Sequence, residues 1–277
     1  MPCSLPIAAY QLPSGAIQIG QPKIGKEETL LLPCGKCLGC RTANARAWAL
    51  RCHLELQDHE HTVFATLTYS PQWLPPTLQK RDLQRFLKKL RKRMGPTRHI
   101  RFFACGEYGT QNARPHYHII IFGLGEAEAE KINKAWGLGH TDVKAATPKN
   151  IAYTTRYTAK KLGDDQYCKR EYVDPETGEV FEWQPPFLQM SRKPGIGGNA
   201  RKHTASWKEY AIMNGVKQPV PRYYHAAWKA TATDEQIAQL AEKRKLTPKQ
   251  IVTLQMLEAQ EKIIEARQDI SAAKRKL

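Results

Sequence analysis

The stretch His116-Tyr117-His118-Ile119-Ile120-Ile121-Phe122-Gly123 decides how this chain is read. Three isoleucines and a phenylalanine, closed by glycine, spell a buried strand. Alternate residues of a strand face the same side, so His116 and His118 share one face of a sheet. Paired imidazoles on a rigid strand are poor core filler and good ligands for a divalent metal.

Immediately upstream, residues 109–115 read as a turn and His99 to Glu107 as a second strand. A hairpin turning near Asn112 brings Glu107 roughly opposite the His116–His118 segment. Glu107 then falls on the strand face that carries Arg101, Phe103 and Cys105. One carboxylate and two imidazoles make a three-ligand site with open positions, suited to Mg2+ or Mn2+ acting on a phosphate.

Further out, Val63 to Tyr69 is β-branched and aromatic and reads as a strand ended by Pro71, Pro75 and Pro76. Leu83, Phe86, Leu87, Leu90 and Met94 recur at helical spacing, with Lys and Arg on the other face. Glu126 to Trp136 reads as a helix and His140 to Ala145 as a short fourth strand. Thr147-Pro148 starts another helix, Thr as N-cap and Pro at the first helical position, running to about Leu162. The order β-α-β-β-α-β is that of the split βαβ arrangement. The expected class is α+β: a ferredoxin-like antiparallel sheet with flanking helices, an N-terminal Cys-rich segment and a C-terminal helical tail.

The helix after the fourth strand carries Tyr153-Thr154-Thr155-Arg156-Tyr157-Thr158-Ala159-Lys160-Lys161. Tyrosines at i and i+4 share one helix face, and Lys160 or Lys161 extends that stripe. A phenol with a pKa near 10 is a weak nucleophile at neutral pH. A metal that withdraws charge from a phosphate, with an ammonium nearby, makes its attack feasible.

Composition supplies the substrate class. Of 277 residues, 43 are Lys or Arg and 26 Asp or Glu. The tail from Asp234 holds nine basic and seven acidic residues, leaving 34 against 19 in the first 233. So concentrated an excess points to a polyanion, and nucleic acid is the natural one. Residues 80–101 hold ten Lys or Arg against one Asp. Lys88, Arg91 and Lys92 on that helix are candidates to track a DNA backbone. Trp73, Trp183 and Phe187 suit either base stacking or the core. No run of 18 apolar residues and no basic-then-apolar start is present, so neither a membrane span nor a signal peptide is expected.

The seven cysteines are an odd number, pointing to a reducing compartment. Cys34-x2-Cys37-x2-Cys40 has metal-ligand spacing, and Cys52 or His53 could complete a structural zinc site. The segments expected are a Cys-rich lead-in and helix over 1–60 and a catalytic core over 61–165. An irregular extension over 166–230 and a helical tail over 231–277 follow.

Taken together, the Phe64–Tyr69 strand, His116-Tyr117-His118 and Tyr-x3-Tyr-x2-Lys-Lys resemble the three motifs of the HUH endonucleases in their two-tyrosine, rolling-circle form. Tyr117 stands where the strict motif has a hydrophobic residue. Residues 33–200 resemble the replication initiators of small single-stranded-DNA microphages (Microviridae, gokushovirus type). Pro33-Cys34-Gly35-Lys36-Cys37, Cys105-Gly106-Glu107-Tyr108-Gly109 and Ser191-Arg192-Lys193-Pro194-Gly195-Ile196-Gly197 add to that likeness.

The resemblance implies a metal on His116, His118 and Glu107 and a site-specific nick in single-stranded origin DNA. Tyr153 or Tyr157 would become linked to the 5′-phosphate, and strand joining would follow. The family's Tyr-x2-Lys spacing points to Lys160 over Lys161 for neutralising the phosphate. It further implies host DNA polymerase and helicase as partners and action as a non-virion protein in the host bacterial cytoplasm. Two other readings stay open. One is a two-tyrosine transposase or relaxase, whose members often carry further domains. The other is a non-catalytic single-strand-binding or packaging protein, which would need neither the His pair nor the Tyr pair. No Gly-x4-Gly-Lys-Ser/Thr motif occurs, so no helicase motor is expected.

Overall fold

A computed structural model describes residues 3–12, 14–20, 29–109, 112–161, 171–174, 177–206, 210–213, 215–246 and 254–273. The chain forms two units, Met1–Asn44 with Ala238–Leu277, and Ala45–Ile237.

In the first unit, β1 (Ile7–Gln11), β2 (Ile17–Ile19) and β3 (Thr29–Leu32) form an antiparallel sheet in the order β2-β1-β3. Helix α1 (Leu38–Leu56) begins in this unit and ends in the next.

The second unit is built on the central strand. Its elements are β4 (Thr62–Thr68), α2 (Lys80–Met94), β5 (Arg101–Tyr108), β6 (Pro115–Phe122), α3 (Ala129–Trp136), β7 (Thr141–Ala145) and α4 (Pro148–Lys161). They are followed by β8 (Glu171–Val173), β9 (Val180–Glu182), β10 (Phe187–Met190), β11 (Tyr210–Met213), β12 (Val216–Pro219) and α5 (Arg222–Thr231). The main sheet is antiparallel throughout, in the order β10-β5-β6-β4-β7. The expected α+β class and each of the expected strands of this sheet are present.

β6 lies in the middle of the sheet, which explains its unbroken apolar run: both faces are covered. Tyr117, Ile119 and Ile121 pack with Val63, Ala65 and Leu67 beneath α2 and α3. Ile120 and Phe122 pack on the other side with Phe64, Phe103, Ile151 of α4, and Ala49 and Cys52 of α1. Each such side chain contributes about 1.5–3 kcal/mol by leaving water. Helix α2 buries Leu83, Phe86, Leu87 and Leu90, the i, i+3, i+4, i+7 stripe of an amphipathic helix. It stops at Gly95, whose φ of 83° favours glycine.

The main difference from expectation is β10. Within the stretch expected to be irregular, Phe187 to Met190 pair with Gly106 to Phe103 as the edge strand beside β5. Four residues after Pro185-Pro186 are too few to show a period, and the pairing is created by the neighbouring strand. Gly106 makes room for it, since a Cβ there would lie 2.8 Å from the Phe187 ring. Phe187 is thus a core residue, and Trp183 stacks on Tyr108 with ring centroids 4.2 Å apart. Trp73 is 57% exposed. The same stretch holds the hairpins β8–β9 and β11–β12 and helix α5. The chain returns to the first unit through α6 (Asp234–Leu246) and α7 (Leu254–Ala273). No described helix is long and apolar enough to cross a membrane.

Candidate metal centre and nucleophile

The β5–β6 hairpin sets the centre. Gly109 N–H donates to the Arg114 carbonyl at 3.0 Å, and the register places Glu107 across from His116 and Cys105 across from His118. All three candidate ligands therefore share one face of the sheet. Glu107 Oε1 lies 2.8 Å from His118 Nε2 and 3.5 Å from His116 Nε2. One ligand atom from each residue falls within 4.8 Å of the others.

The outer nitrogens fix the rings. His116 Nδ1 lies 3.1 Å from the Arg114 carbonyl, which can only accept, so Nδ1 donates and Nε2 is the nitrogen left to bind a metal. His118 Nδ1 lies 3.1 Å from Thr66 Oγ1 on β4, which leaves its Nε2 facing Glu107 as well. Such outer partners orient metal-binding imidazoles and raise their basicity.

Glu107 is only 2% exposed, yet neither carboxylate oxygen has a hydrogen bond of normal geometry. A buried polar atom left so costs about 1–3 kcal/mol, more when charged. Burial alone would raise the Glu107 carboxyl, but the two facing imidazoles outweigh it and hold its pKa below the usual carboxylate range. An anionic carboxylate facing two imidazole Nε2 atoms, each able to offer a lone pair once it gives up its proton, fits a divalent cation. Donors 2.8 and 3.5 Å apart also bracket the roughly 3 Å between adjacent ligands of an octahedral ion with bonds near 2.1 Å.

Helix α4 brings a phenol to this centre. Thr147 caps it: Asn150 N–H donates to Thr147 Oγ1 at 3.2 Å, and Thr147 N–H to Asn150 Oδ1 at 3.1 Å. Ile151, Thr154 and Thr155 are buried. Each threonine hydroxyl donates to a carbonyl one turn back at 2.9 Å, so polar residues can sit under the helix. Tyr153, half-buried, sets its ring 5.2 Å from His118 and 6.4 Å from Phe64, both edge-on. Phe64 stacks on His118 at 5.5 Å.

Tyr117 has a different task. It points to the other face, fully buried, with its hydroxyl 2.8 Å from Tyr69 Oη and donating to the Gln79 carbonyl at 3.0 Å. Burial pushes its phenol up to about 12. It ties the sheet to the start of α2 and is no candidate nucleophile.

Of the other expected site residues, Tyr157, Lys160 and Lys161 continue the α4 backbone, and their side chains lie outside the described residues. Lys88, Arg91 and Lys92 are exposed on α2, whose apolar stripe covers the sheet face opposite to the three ligands. The structure does not bring them to the centre. Cys34, Cys37 and Cys40 do come together, but the fourth thiol is Cys3. Cys52 is corrected: twelve residues past Cys40 along α1, it is fully buried among Phe64, Phe103 and Ile151. Thr66 and Phe64 were legible only as strand residues. Their roles come from facing His118, which a single strand does not reveal.

Comparison with known proteins adds the family. Residues 62–162, β4 through α4, match the model for replication-associated protein ORF2/G2P. The replication-associated protein ORF2 of Spiroplasma virus 4 is 31% identical over 233 residues, covering 74% of this chain and 69% of the relative. The replication-associated protein VP4 of Bdellovibrio phage phiMH2K is 29% identical, covering 92% and 85%. ORF4 of Chlamydia phage 1, also a replication-associated protein, is 30% identical over 159 residues, covering 50% and 40%. The N-terminal nuclease domain of minute virus of mice non-structural protein-1 aligns with a TM-score of 0.17 at 10% identity, too low to bear on the fold. With two thirds of the Spiroplasma virus protein matched, and with the β5–β6 hairpin and α4 inside the matched stretch, this chain belongs to the microphage replication-associated protein family, of the Microviridae type.

Proposed function

We propose that this chain initiates rolling-circle replication by nicking single-stranded DNA at an origin and later rejoining the strand. The observation that carries the reading is the Tyr153 ring set 5.2 Å from His118, beside three converging metal ligands. A divalent ion held by Glu107, His116 and His118, Mg2+ or Mn2+, would supply charge neutralisation at the scissile phosphate. The two imidazoles favour Mn2+ of the pair.

The residues then divide the work. The phenolic oxygen of Tyr153 or Tyr157 forms a bond to phosphorus, and its proton passes to water. The bond from phosphorus to the 3′-oxygen breaks, and that oxygen leaves with the electron pair and takes up a proton. The products are a 5′-phosphotyrosyl link and a free 3′-OH for a host polymerase, with a host helicase opening the duplex. Lys160 or Lys161 neutralises phosphate charge. The second tyrosine attacks the regenerated junction, and the released 3′-OH displaces the first tyrosine to close a circle. Two tyrosines one helical turn apart suit alternating attack at one centre. The setting is the host bacterial cytoplasm, with the protein acting outside the virion.

Incubation with origin-bearing single-stranded DNA and Mn2+ tests this on a denaturing gel. A covalent protein–DNA adduct is expected, lost without metal and lost when Tyr153 and Tyr157 are both changed to Phe. An adduct that persists in the double variant overturns the mechanism, and binding without any adduct favours a packaging role.

A further inference from the structure

Four thiols converge in the first unit, none of them a residue of the metal centre. Cys34, Cys37 and Cys40 lie where the chain passes from β3 into α1, and Cys3 joins them from 31 residues upstream. Cys3 is 1% exposed, Cys37 and Cys40 8% each. Cys37 Sγ lies 3.8 Å from Cys3 Sγ, Cys34 Sγ lies 4.0 Å from Cys40 Sγ, and all four sulfurs fall within 4.8 Å of one another. None of the four is in a disulfide.

These separations identify the chemistry. Four sulfurs around one ion with bonds of about 2.3 Å form a tetrahedron with edges near 3.8 Å. A disulfide would need sulfurs about 2.05 Å apart. In an iron–sulfur cube each thiolate binds its own iron, which spreads the sulfurs beyond a single-ion tetrahedron. The backbone adds three donors aimed at sulfur. Cys34 N–H points to Cys3 Sγ at 3.3 Å, Cys37 N–H to Cys34 Sγ at 3.2 Å, and Cys40 N–H to Cys37 Sγ at 3.4 Å. Such donors stabilise thiolates and hold them in place, as outer partners do in metal sites.

We propose that Cys3, Cys34, Cys37 and Cys40 bind one zinc ion in a closed, structural site that ties the N-terminal residues to the start of α1. Four protein ligands leave no open position, so this ion does no chemistry on DNA. Four thiolates select a soft ion such as zinc, whereas the Glu107–His116–His118 set, with nitrogen and oxygen donors and open positions, also accepts harder ions. Among the described residues of this unit, the cysteines form a buried cluster of their own, with Ala9 and Tyr10 of β1 also buried and Leu5, Ile17 and Ile19 exposed. Metal binding to such a cluster adds to folding energy.

The test uses the full chain, expressed with zinc and purified without chelator, and reads metal content. About one zinc per chain is expected, unchanged in Glu107→Ala and Cys52→Ser and below about 0.1 in Cys3→Ser. Growth in Co2+ in place of zinc should give the unvaried chain the visible absorption of tetrahedral thiolate-bound cobalt, a readout independent of whether a variant folds. Zinc below about 0.1 per chain with no such absorption overturns the proposal. So does full zinc retention with an unaltered cobalt spectrum in Cys3→Ser, or iron with acid-labile sulfide in place of zinc.

Discussion

Tyr153 meets His118 edge-on, ring centroids 5.2 Å apart at an interplanar angle of 82°, with Phe64 closing the third side. A half-buried phenol thus sits on a rigid helix against a ring whose Nε2 faces Glu107. Under the proposed mechanism, Tyr153→Phe slows single-turnover nicking by about 10²-fold or more, an order typical of losing a group that reacts directly. The ring stays, so unfolding free energy should move by no more than about 0.5 kcal/mol. Quenched-flow nicking and urea melts on the same preparation check both halves. A nicking rate unchanged by Tyr153→Phe assigns the first attack to Tyr157.

Glu107 carries the clearest metal prediction. Its orphaned carboxylate oxygens should make the chain more stable with Mn2+ than without. An ion at a hundred times its dissociation constant stabilises the native state by about 2.7 kcal/mol. Thermal melts with and without Mn2+ should show this rise in the parent chain and none in Glu107→Gln or His118→Ala. The same rise in Glu107→Gln would place the ion elsewhere.

Much of this centre was legible in the sequence, for a physical reason. A short turn between two strands fixes hairpin register, so Glu107 could be placed opposite His116–His118 before any contact was known, and it pairs with His116. Strand parity then separates His116 and His118 from Tyr117. What stayed hidden depends on partners far along the chain. β10 has no period of its own and borrows its pairing from β5. Cys3 sits 31 residues from the cluster it completes, while Cys52, at a plausible spacing, is carried off along α1 into the core. The basic stripe of α2 was readable, but the face of the sheet that α2 covers was not.

Thr66 should act through His118. Its hydroxyl, 3.1 Å from Nδ1, sets which way that ring presents its other nitrogen. Thr66→Val keeps the shape and removes the partner, and outer-shell losses of this kind typically lower metal affinity about 10–100-fold. Mn2+ titration should show that drop, while Thr66→Ser restores most of it. A purely structural role would leave the affinity of Thr66→Val unchanged.

Glu55 predicts a pH dependence remote from the centre. It is 3% exposed, paired with Arg101 and accepting the Gly197 N–H at 2.7 Å, with His59 Nε2 at 3.3 Å. Burial opposes its charge, but these partners outweigh it and hold the carboxyl below its ordinary range. A depressed folded pKa gives stability that is full above the unfolded value, about 4.3, and lost as pH falls through the folded one. Glu55→Gln should therefore cost about 3 kcal/mol near neutral pH, as breaking a buried pair does. The gap between parent and variant should close below about pH 4. Urea melts across that range check it, and a gap that stays constant would remove the carboxylate from the explanation.

Lys88, Arg91 and Lys92 lie on the sheet face opposite to the ligands, which turns a sequence expectation into a geometric one. Under the proposed mechanism, DNA held at Tyr153 would reach α2 only by passing round an edge of the sheet, where neighbouring strands are about 4.8 Å apart. A strand of about six nucleotides fills a single site, while one of about thirty can span both faces. Lys88→Ala/Arg91→Ala/Lys92→Ala should leave short-strand binding and Mn2+ affinity unchanged. It should weaken long-strand binding and flatten its salt dependence by about 0.7 in log–log slope for each phosphate no longer neutralised. Anisotropy titrations at several salt concentrations read both quantities. Equal weakening for short and long strands would mean that these cations act at the cleavage centre after all, and unchanged binding of both would make the stripe a solvated face.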